Sequence, residues 1–276
     1  GLTASKPAKM SPDFLSKVWS IKDDDATAAL AANTHLRKQS ENSSLSRHFS
    51  TNDRMLRYAR INSCFYTDTF FAKGSDAKST RGNTCMQLFV SDKGYMKVYP
   101  MKSKSEFKDA LHLFCKEIGV PHTLVLDPSG EQSSKAVRHF SNQVGMTLKL
   151  LEESIQWANR AELYIGLLKR MVYADLCSTN SPLCLWDYCA ERRALIHNLI
   201  PSKMYQNFGK SPHEVTHGSQ GDISNLLFGW YEWCYYLETG NHQFPHQKWM
   251  LGRVLGPSKN EGNEMAQSIL THKGTV

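Results

Sequence analysis

The order of apolar patterns predicts an α/β fold built on a mixed five-stranded sheet with flanking helices. A small helical segment precedes it and a small all-β segment follows. Three observations carry this reading. From Ile61, the runs INSCFYTDTFFA, TCMQLFVSD and YMKVYPM are rich in β-formers and are separated by turn signals at KGS, RGN and DKG. Helical spacing then alternates with the short strands HTLVLD and MTLKLLE, which calls for parallel crossovers after a three-strand meander. Beyond residue 226, short aromatic-rich runs (WYEWCYYLE, KWMLGRVLG, MAQSIL) suggest a small antiparallel barrel or sheet.

The elements divide the chain into five stretches. Residues 1–35 open with a loose polar tail, then a helix capped by Ser11 with Pro12 at its first position. Phe14, Leu15, Val18 and Trp19 follow at helical spacing. Asp23 to Asp25 suit the N-terminus of a second helix through Ala32. The pair resembles a helix-turn-helix, although a helical hairpin packed on its neighbour is the simpler reading. Residues 36–60 form a Ser-, Asn- and Arg-rich linker with six basic and two acidic residues, a net of +4. Arg47, Arg54, Arg57 and Arg60 belong to it, and both a solvated linker and phosphate contact fit such a cluster. Residues 61–205 hold the α/β unit. In it Ser103 and Glu106 form a capping-box pattern before the helix of Phe107, Ala110, Leu111 and Phe114. Further helices are predicted at Gln132 to Val144, Asn159 to Cys177 and Leu183 to Leu199. Residues 206–225 read as a connector and 226–276 as the all-β segment.

Composition bounds the function. The 276 residues carry 41% hydrophobic and 21% charged side chains, ordinary globular values that argue against wholesale disorder. A formal charge of +7 favours a polyanionic partner. No apolar run approaches a membrane span, so no membrane role is expected, and the N-terminal residues lack the apolar region of a secretory signal. Seven cysteines without a CxxC pair read as reduced, packed thiols of an intracellular protein, and no structural zinc is predicted.

Three acids stand out. Asp68 in FYTDTFF and Asp127 in TLVLDPSGEQ lie in or beside apolar strands, and Glu162 in NRAELYIGLLKR opens a long helical pattern. Acidic side chains suit such strands poorly unless something positive neutralises them. Two divalent ions held by the three carboxylates would do so and would perform in-line phosphoryl displacement. From the residues alone, capping and surface solvation stand equally open, since Asp127 precedes Pro128 and fits a turn start. Glu131 and Glu153 lie nearby as decoys.

These acidic stretches, with TDTFFAKGSDAKSTRGNTCMQLFVSDKGYMKVYPMKSKSE between the first two, resemble the integrase core of a copia-type retrotransposon polyprotein. Gln156, Asn159 and Ala161 before Glu162 match the family's approach to its third acid. SPHEVTHGSQGDISNL and GRVLGPSKNEGNEM are similar to the segment that follows the core, so the likeness runs from about Arg47 to Ile269. The resemblance implies a ribonuclease-H-like fold, Asp68, Asp127 and Glu162 as catalytic residues and metal ligands, and two Mg²⁺ (or Mn²⁺) ions. It also implies DNA partners (retroelement ends and target duplex), a homo-oligomer, and action in the nucleus during integration. The interval between the last two acids is one residue shorter than is common in the family, and its N-terminal His-His-Cys-Cys module is missing.

On this reading Lys169, seven residues after Glu162 on the same helical face, holds a DNA phosphate near the metals, with Arg47, Arg54, Arg57 and Arg60 as further DNA contacts. The all-β segment 226–276 is then a DNA-binding domain that, with the basic linker, grips the DNA backbone largely without regard to sequence. Arg170 reads as a solvated neighbour; Lys102 and Lys104 fit a DNA contact, although a surface helix start is the simpler reading. Trp230, Trp233 and Trp249 are expected in the core of the all-β segment rather than as base-stacking platforms. Two alternatives remain: a non-catalytic, integrase-derived DNA-binding relic, and a zinc metalloprotease through His213-Glu214-Val215-Thr216-His217. Pro212 and Gly218 leave that HExxH match barely more than one helical turn, which favours connector histidines.

Overall fold

The computed structural model describes residues 10–35, 58–74, 77–127, 134–151, 160–204, 207–237, 249–258 and 265–276. Five strands form the main sheet: β1 (Arg60–Phe71), β2 (Cys85–Ser91), β3 (Met96–Met101), β4 (Val120–Leu126) and β5 (Thr147–Leu150). Their order is β3-β2-β1-β4-β5. The meander β1-β2-β3 is antiparallel, and β4 and β5 add in parallel beyond β1. The TDT strand is therefore central.

Helices α3 (Phe107–Glu117) and α4 (Lys135–Val144) make the two crossovers. Their apolar stripes, including Phe107, Leu111, Phe114, Val137 and Phe140, cover one face of the sheet. Phe114 sits at the centre of that core, 5.0 Å from Phe65 and 4.4 Å from Phe89 between ring centroids. On the opposite face lie α5 (Arg160–Thr179) and α6 (Trp186–Leu199). Ala161, Tyr164, Ile165 and Leu168 recur at helical spacing and pack α5 against Phe70, Leu88 and Val98. Ser103 and Glu106 do not close the expected capping box. Residues Lys104–Glu106 form a 3₁₀ turn, and Glu106 accepts instead from the Lys102 N–H at 2.9 Å, one residue earlier.

The outer edge of β3 is closed by a side chain. Asn198 of α6 accepts from the Met96 N–H at 2.8 Å and donates to the Met96 carbonyl at 2.7 Å, as a neighbouring strand would.

Helices α1 (Pro12–Trp19) and α2 (Asp23–Ala32) do not stand apart as a DNA-reading module. Leu15, Trp19, Ala26 and Ala29 share a core with Ile196 and Leu199 of α6 and with Ile223 and Leu226. A buried polar knot joins the same parts. Arg193 forms a two-pronged pair with Asp175 and donates to the Trp19 carbonyl at 2.6 Å. Arg192 donates to the Val18 and Phe228 carbonyls at 3.0 and 2.9 Å. All three charged side chains are buried.

The short helix α7 (Pro212–His217) precedes the C-terminal strands β6 (Trp233–Leu237), β7 (Trp249–Pro257) and β8 (Gln267–Leu270). Among the described residues these make a three-stranded antiparallel sheet, order β6-β7-β8, rather than a closed barrel. Gly252 is needed there, because a Cβ would meet the Ile269 side chain at 2.6 Å and the Tyr236 ring at 3.1 Å. The far end of β7 seats on the main body: Leu255 joins the α5–α6 core, and Gly256 lies against the Arg192 stem.

Candidate active site

Strand register brings two of the three acids side by side. In the β1–β4 pair Thr67 lies opposite Leu126, so the next residues along the two strands are Asp68 and Asp127. Adjacent strands are about 4.8 Å apart, and matched positions share a face. That face follows from alternation. Phe65, Leu124 and Leu126 point into the core under α3 and α4, whereas Tyr66 and Phe70 pack on the α5 side. Asp68 falls in phase with Tyr66 and Phe70, and Asp127 out of phase with Leu126. Both aspartates therefore face the α5 layer, where Glu162 occupies the exposed side of the first helical turn.

The threonines flanking Asp68 anchor its strand from the other face. Thr67 Oγ1 donates to the Leu88 carbonyl at 2.7 Å and accepts from Gln87 Nε2 at 2.6 Å, while Thr69 Oγ1 donates to Gln87 Oε1 at 2.5 Å. All three side chains are buried and satisfied, so the β1–β2 register is fixed where Asp68 emerges. The α5 start is held separately. Arg160 donates to the Asp92 carbonyl at 2.6 Å in the β2–β3 turn. Gly94 in that turn has φ +87°, and a Cβ there would meet the Tyr164 hydroxyl at 2.7 Å. The tyrosine two residues after Glu162 thus rests where only glycine fits.

Electrostatics couples the three acids. The Asp68 carboxyl is pushed above its ordinary value, first by burial and then by the negative charges of Asp127 and Glu162. The Thr69 N–H, which donates to Asp68 at 2.7 Å, and the Lys104 charge act in the opposite direction. Lys104, for which a surface helix start is the simpler expectation and a DNA contact the alternative, is therefore close enough to act on Asp68. Among the described residues, no group of three or more His, Cys, Asp or Glu side chains is gathered tightly enough to hold a metal ion as it stands.

Lys169 lies on the Glu162 side of α5, with its ammonium 5.2 Å from the Phe70 ring, two residues along β1 from Asp68. Arg60 serves the fold. Its guanidinium donates to the Val144 and Gly145 carbonyls at 2.5 and 2.7 Å and so caps the C-terminus of α4. Arg47, Arg54, Arg57, Glu131 and Glu153 lie outside the described residues. Trp230 is buried, but in the α5–α6 core rather than, as expected, in that of the all-β segment, and donates to Ser181 Oγ at 2.9 Å. The expectation fails for Trp233 and Trp249, which are 55% and 57% exposed.

The HExxH segment is the six-residue α7, capped by Ser211 and ended by Gly218 at φ +74°. The Glu214 carboxylate pairs with Lys210 at 3.0 Å, and the His217 ring packs edge-on to Tyr95. Glu214 is thus engaged by a lysine, and the His213 and His217 rings lie 4.5 Å apart between centroids on a helix of barely more than one turn. Among the described residues, no helix is long and apolar enough to cross a membrane.

No family model matches the sequence, and neither does any curated protein. Solved structures do match its shape. A chain of the cryo-electron-microscopy structure of the simian T-cell lymphotropic virus intasome, in complex with the PP2A regulatory subunit B56 gamma, is 14% identical with a TM-score of 0.50; the alignment covers 95% of this chain and 96% of that one. The HTLV-2 integrase catalytic core domain in complex with magnesium, in its dimeric form, is 17% identical with a TM-score of 0.44, covering 59% of this chain and all of the other. The five-stranded mixed sheet with helices on both faces is a ribonuclease-H-like architecture, here followed by a second, three-stranded sheet.

Proposed function

We propose that this chain is a retrotransposon integrase of the copia type, a metal-dependent polynucleotidyl transferase that joins retroelement DNA ends to target DNA. One observation carries the reading: Asp68 and Asp127 lie side by side on the central strands of an integrase-like sheet and face the helix that begins with Glu162. The donor set suits a hard divalent cation. It offers carboxylate oxygens only, and Asp68, raised first by burial and then by the Asp127 and Glu162 charges, is a carboxyl whose charged form a cation would favour. Asp68, Asp127 and Glu162 would hold two Mg²⁺ or Mn²⁺ ions. When bound, such ions activate a water or a 3′-hydroxyl and neutralise charge on the phosphate under attack.

The chain's own residues supply position. The Thr67–Gln87–Thr69 network keeps Asp68 at a fixed height on β1, and the Asp92–Tyr95 turn fixes the first turn of α5. Lys169 and Lys104 offer positive charge beside the acids, where a DNA phosphate would lie. Arg47, Arg54 and Arg57 in the basic stretch before β1 add backbone contacts that do not depend on sequence. Joining two DNA ends to one target calls for more than one copy of the chain, acting in the nucleus.

The test is a strand-transfer assay with Mg²⁺ on labelled duplex ends. Glu162→Gln is expected to abolish joining while leaving DNA binding and thermal unfolding close to the parent. Joining at parental rate by this variant would remove Glu162 from the mechanism.

A further inference from the structure

We propose that the exposed face of the β6–β7 hairpin is a stacking platform for an unpaired DNA strand, an inference that rests on the reading of this chain as a DNA-joining enzyme. Six residues form the face in three cross-strand pairs: Trp233 with Arg253, Tyr235 with Leu251, and Leu237 with Trp249. Trp233, Tyr235, Leu237, Trp249 and Leu251 are 55%, 72%, 54%, 57% and 41% exposed. Among the described residues they belong to none of the core clusters, and the hairpin's other face is the one that packs, through Gly252, Tyr236, Val254 and Ile269. A contiguous apolar face on a basic chain marks a binding surface.

The chemistry of the face selects the occupant. Its one charged member is Arg253, and there is no carboxylate among the six paired positions. Gripping the outside of a closed duplex takes several cations on phosphates, and a duplex hides the flat faces of its bases. An unpaired strand exposes those faces, and bases of any sequence stack on aromatic rings. Arg253 extends the flat surface: its guanidinium lies 3.3 Å from the Trp233 ring centroid and 4.6 Å from that of Tyr231. One of its nitrogens donates to the Tyr231 carbonyl at 2.9 Å, which fixes the plane and leaves other N–H donors for a phosphate between stacked bases. In this arrangement the C-terminal sheet holds frayed or single-stranded DNA while the acidic site works on the adjoining backbone.

The test uses the full chain and fluorescence anisotropy with a labelled thymidine oligonucleotide, a closed hairpin duplex of equal length and a uridine ribo-oligonucleotide. The single-stranded DNA should bind more tightly than the duplex once moderate salt has weakened phosphate contacts. Trp233→Ala and Trp249→Ala should each lower that affinity about tenfold and leave duplex binding unchanged, while Trp249→Phe should retain most of it. Equal losses for duplex and single strand, no loss, or a stronger grip on the ribo-oligonucleotide would overturn the proposal. So would a shift to monomers in sedimentation with oligonucleotide binding intact, since the face would then be a contact between copies. Strand transfer that depends on Glu162 but is indifferent to Trp233 and Trp249 would sink this inference and leave the proposed function standing.

Discussion

Replacing Asp175 with alanine should be among the most damaging single changes outside the sheet. Asp175 is 2% exposed and lies between two arginines that are 3% and 4% exposed. Its carboxylate accepts two hydrogen bonds from Arg193 and stands 4.0 Å from the nearest Arg192 nitrogen. Burial and the neighbouring Arg193 charge already depress Arg192 to about 10, and Asp175, ahead of Glu232, is the main negative charge that offsets them. Taking Asp175 away leaves two buried guanidinium groups with backbone carbonyls and, for Arg192, only the weaker influence of the Glu232 carboxylate. Breaking a buried pair in this way costs about 3–5 kcal/mol. For a protein of this size that corresponds to a fall in melting temperature of roughly 6–20 °C. Thermal unfolding followed by far-ultraviolet circular dichroism and by tryptophan fluorescence measures it. The second probe matters because Trp19 and Trp230 report on the parts that the knot joins. A paired control, Asp175→Leu with Arg193→Met, should recover much of the loss, since apolar substitutes of similar volume need no compensating charge. A loss below about 1 kcal/mol for Asp175→Ala would refute the claim that this knot holds the N-terminal helices to the core.

Asp68→Asn removes a carboxyl that the fold holds protonated more firmly than the unfolded chain does, so the parent loses stability as pH rises through the interval just above the ordinary aspartate value. The variant is expected to melt higher than the parent at neutral pH without divalent ions and to lose the Mg²⁺-induced rise in melting temperature; an equal rise in both proteins would contradict metal binding there. His197 donates to the Gly94 carbonyl at 3.1 Å and is held by burial down to about 4. The folded state therefore resists a proton that the unfolded chain accepts, and stability should fall as pH drops from about 6.5 to about 4, by at most about 3 kcal/mol and by less to the extent that water reaches the ring. His197→Gln should flatten that acid limb in pH-dependent unfolding. Arg60→Ala should lower stability by about 0.5–1 kcal/mol through the lost α4 cap and leave the salt slope of DNA binding unchanged, whereas a shallower slope would return Arg60 to the DNA contacts.

The α/β unit was legible because its signals are local. Alternation in FYTDTFF, turn residues between strands and the stripe from Ala161 to Leu168 each specify an element, and topology rules then place β1 at the centre. The pairing of Asp68 with Asp127 follows from that placement. What escaped depends on phase and on distant partners. Trp230, Trp233 and Trp249 look alike in a run of aromatics, yet β6 begins only at Trp233, after Tyr231 at φ +59° breaks the phase; Trp230 turns inward and the other two outward. Nothing in the sequence around Arg192 and Arg193 marks them as buried, and their burial appears only when α1, the 228 region and β7 close around α6. Arg60 closes a basic linker in the sequence, but the neighbouring α4 terminus claims its donors. Lys104 lies close to Asp68 in space and far from it in the chain.

The Asn198 amide along β3 limits how this molecule can polymerise. With Met96 already engaged, an extended segment from another molecule finds no free backbone ladder at that point of the border, and lateral growth there would first have to pull α6 away. The opposite border, β5, is only four residues long and carries Lys149. Any assembly of copies would thereby be directed away from sheet extension and toward contacts between preformed surfaces, with the central strands, and the two aspartates on them, kept out of intermolecular exchange.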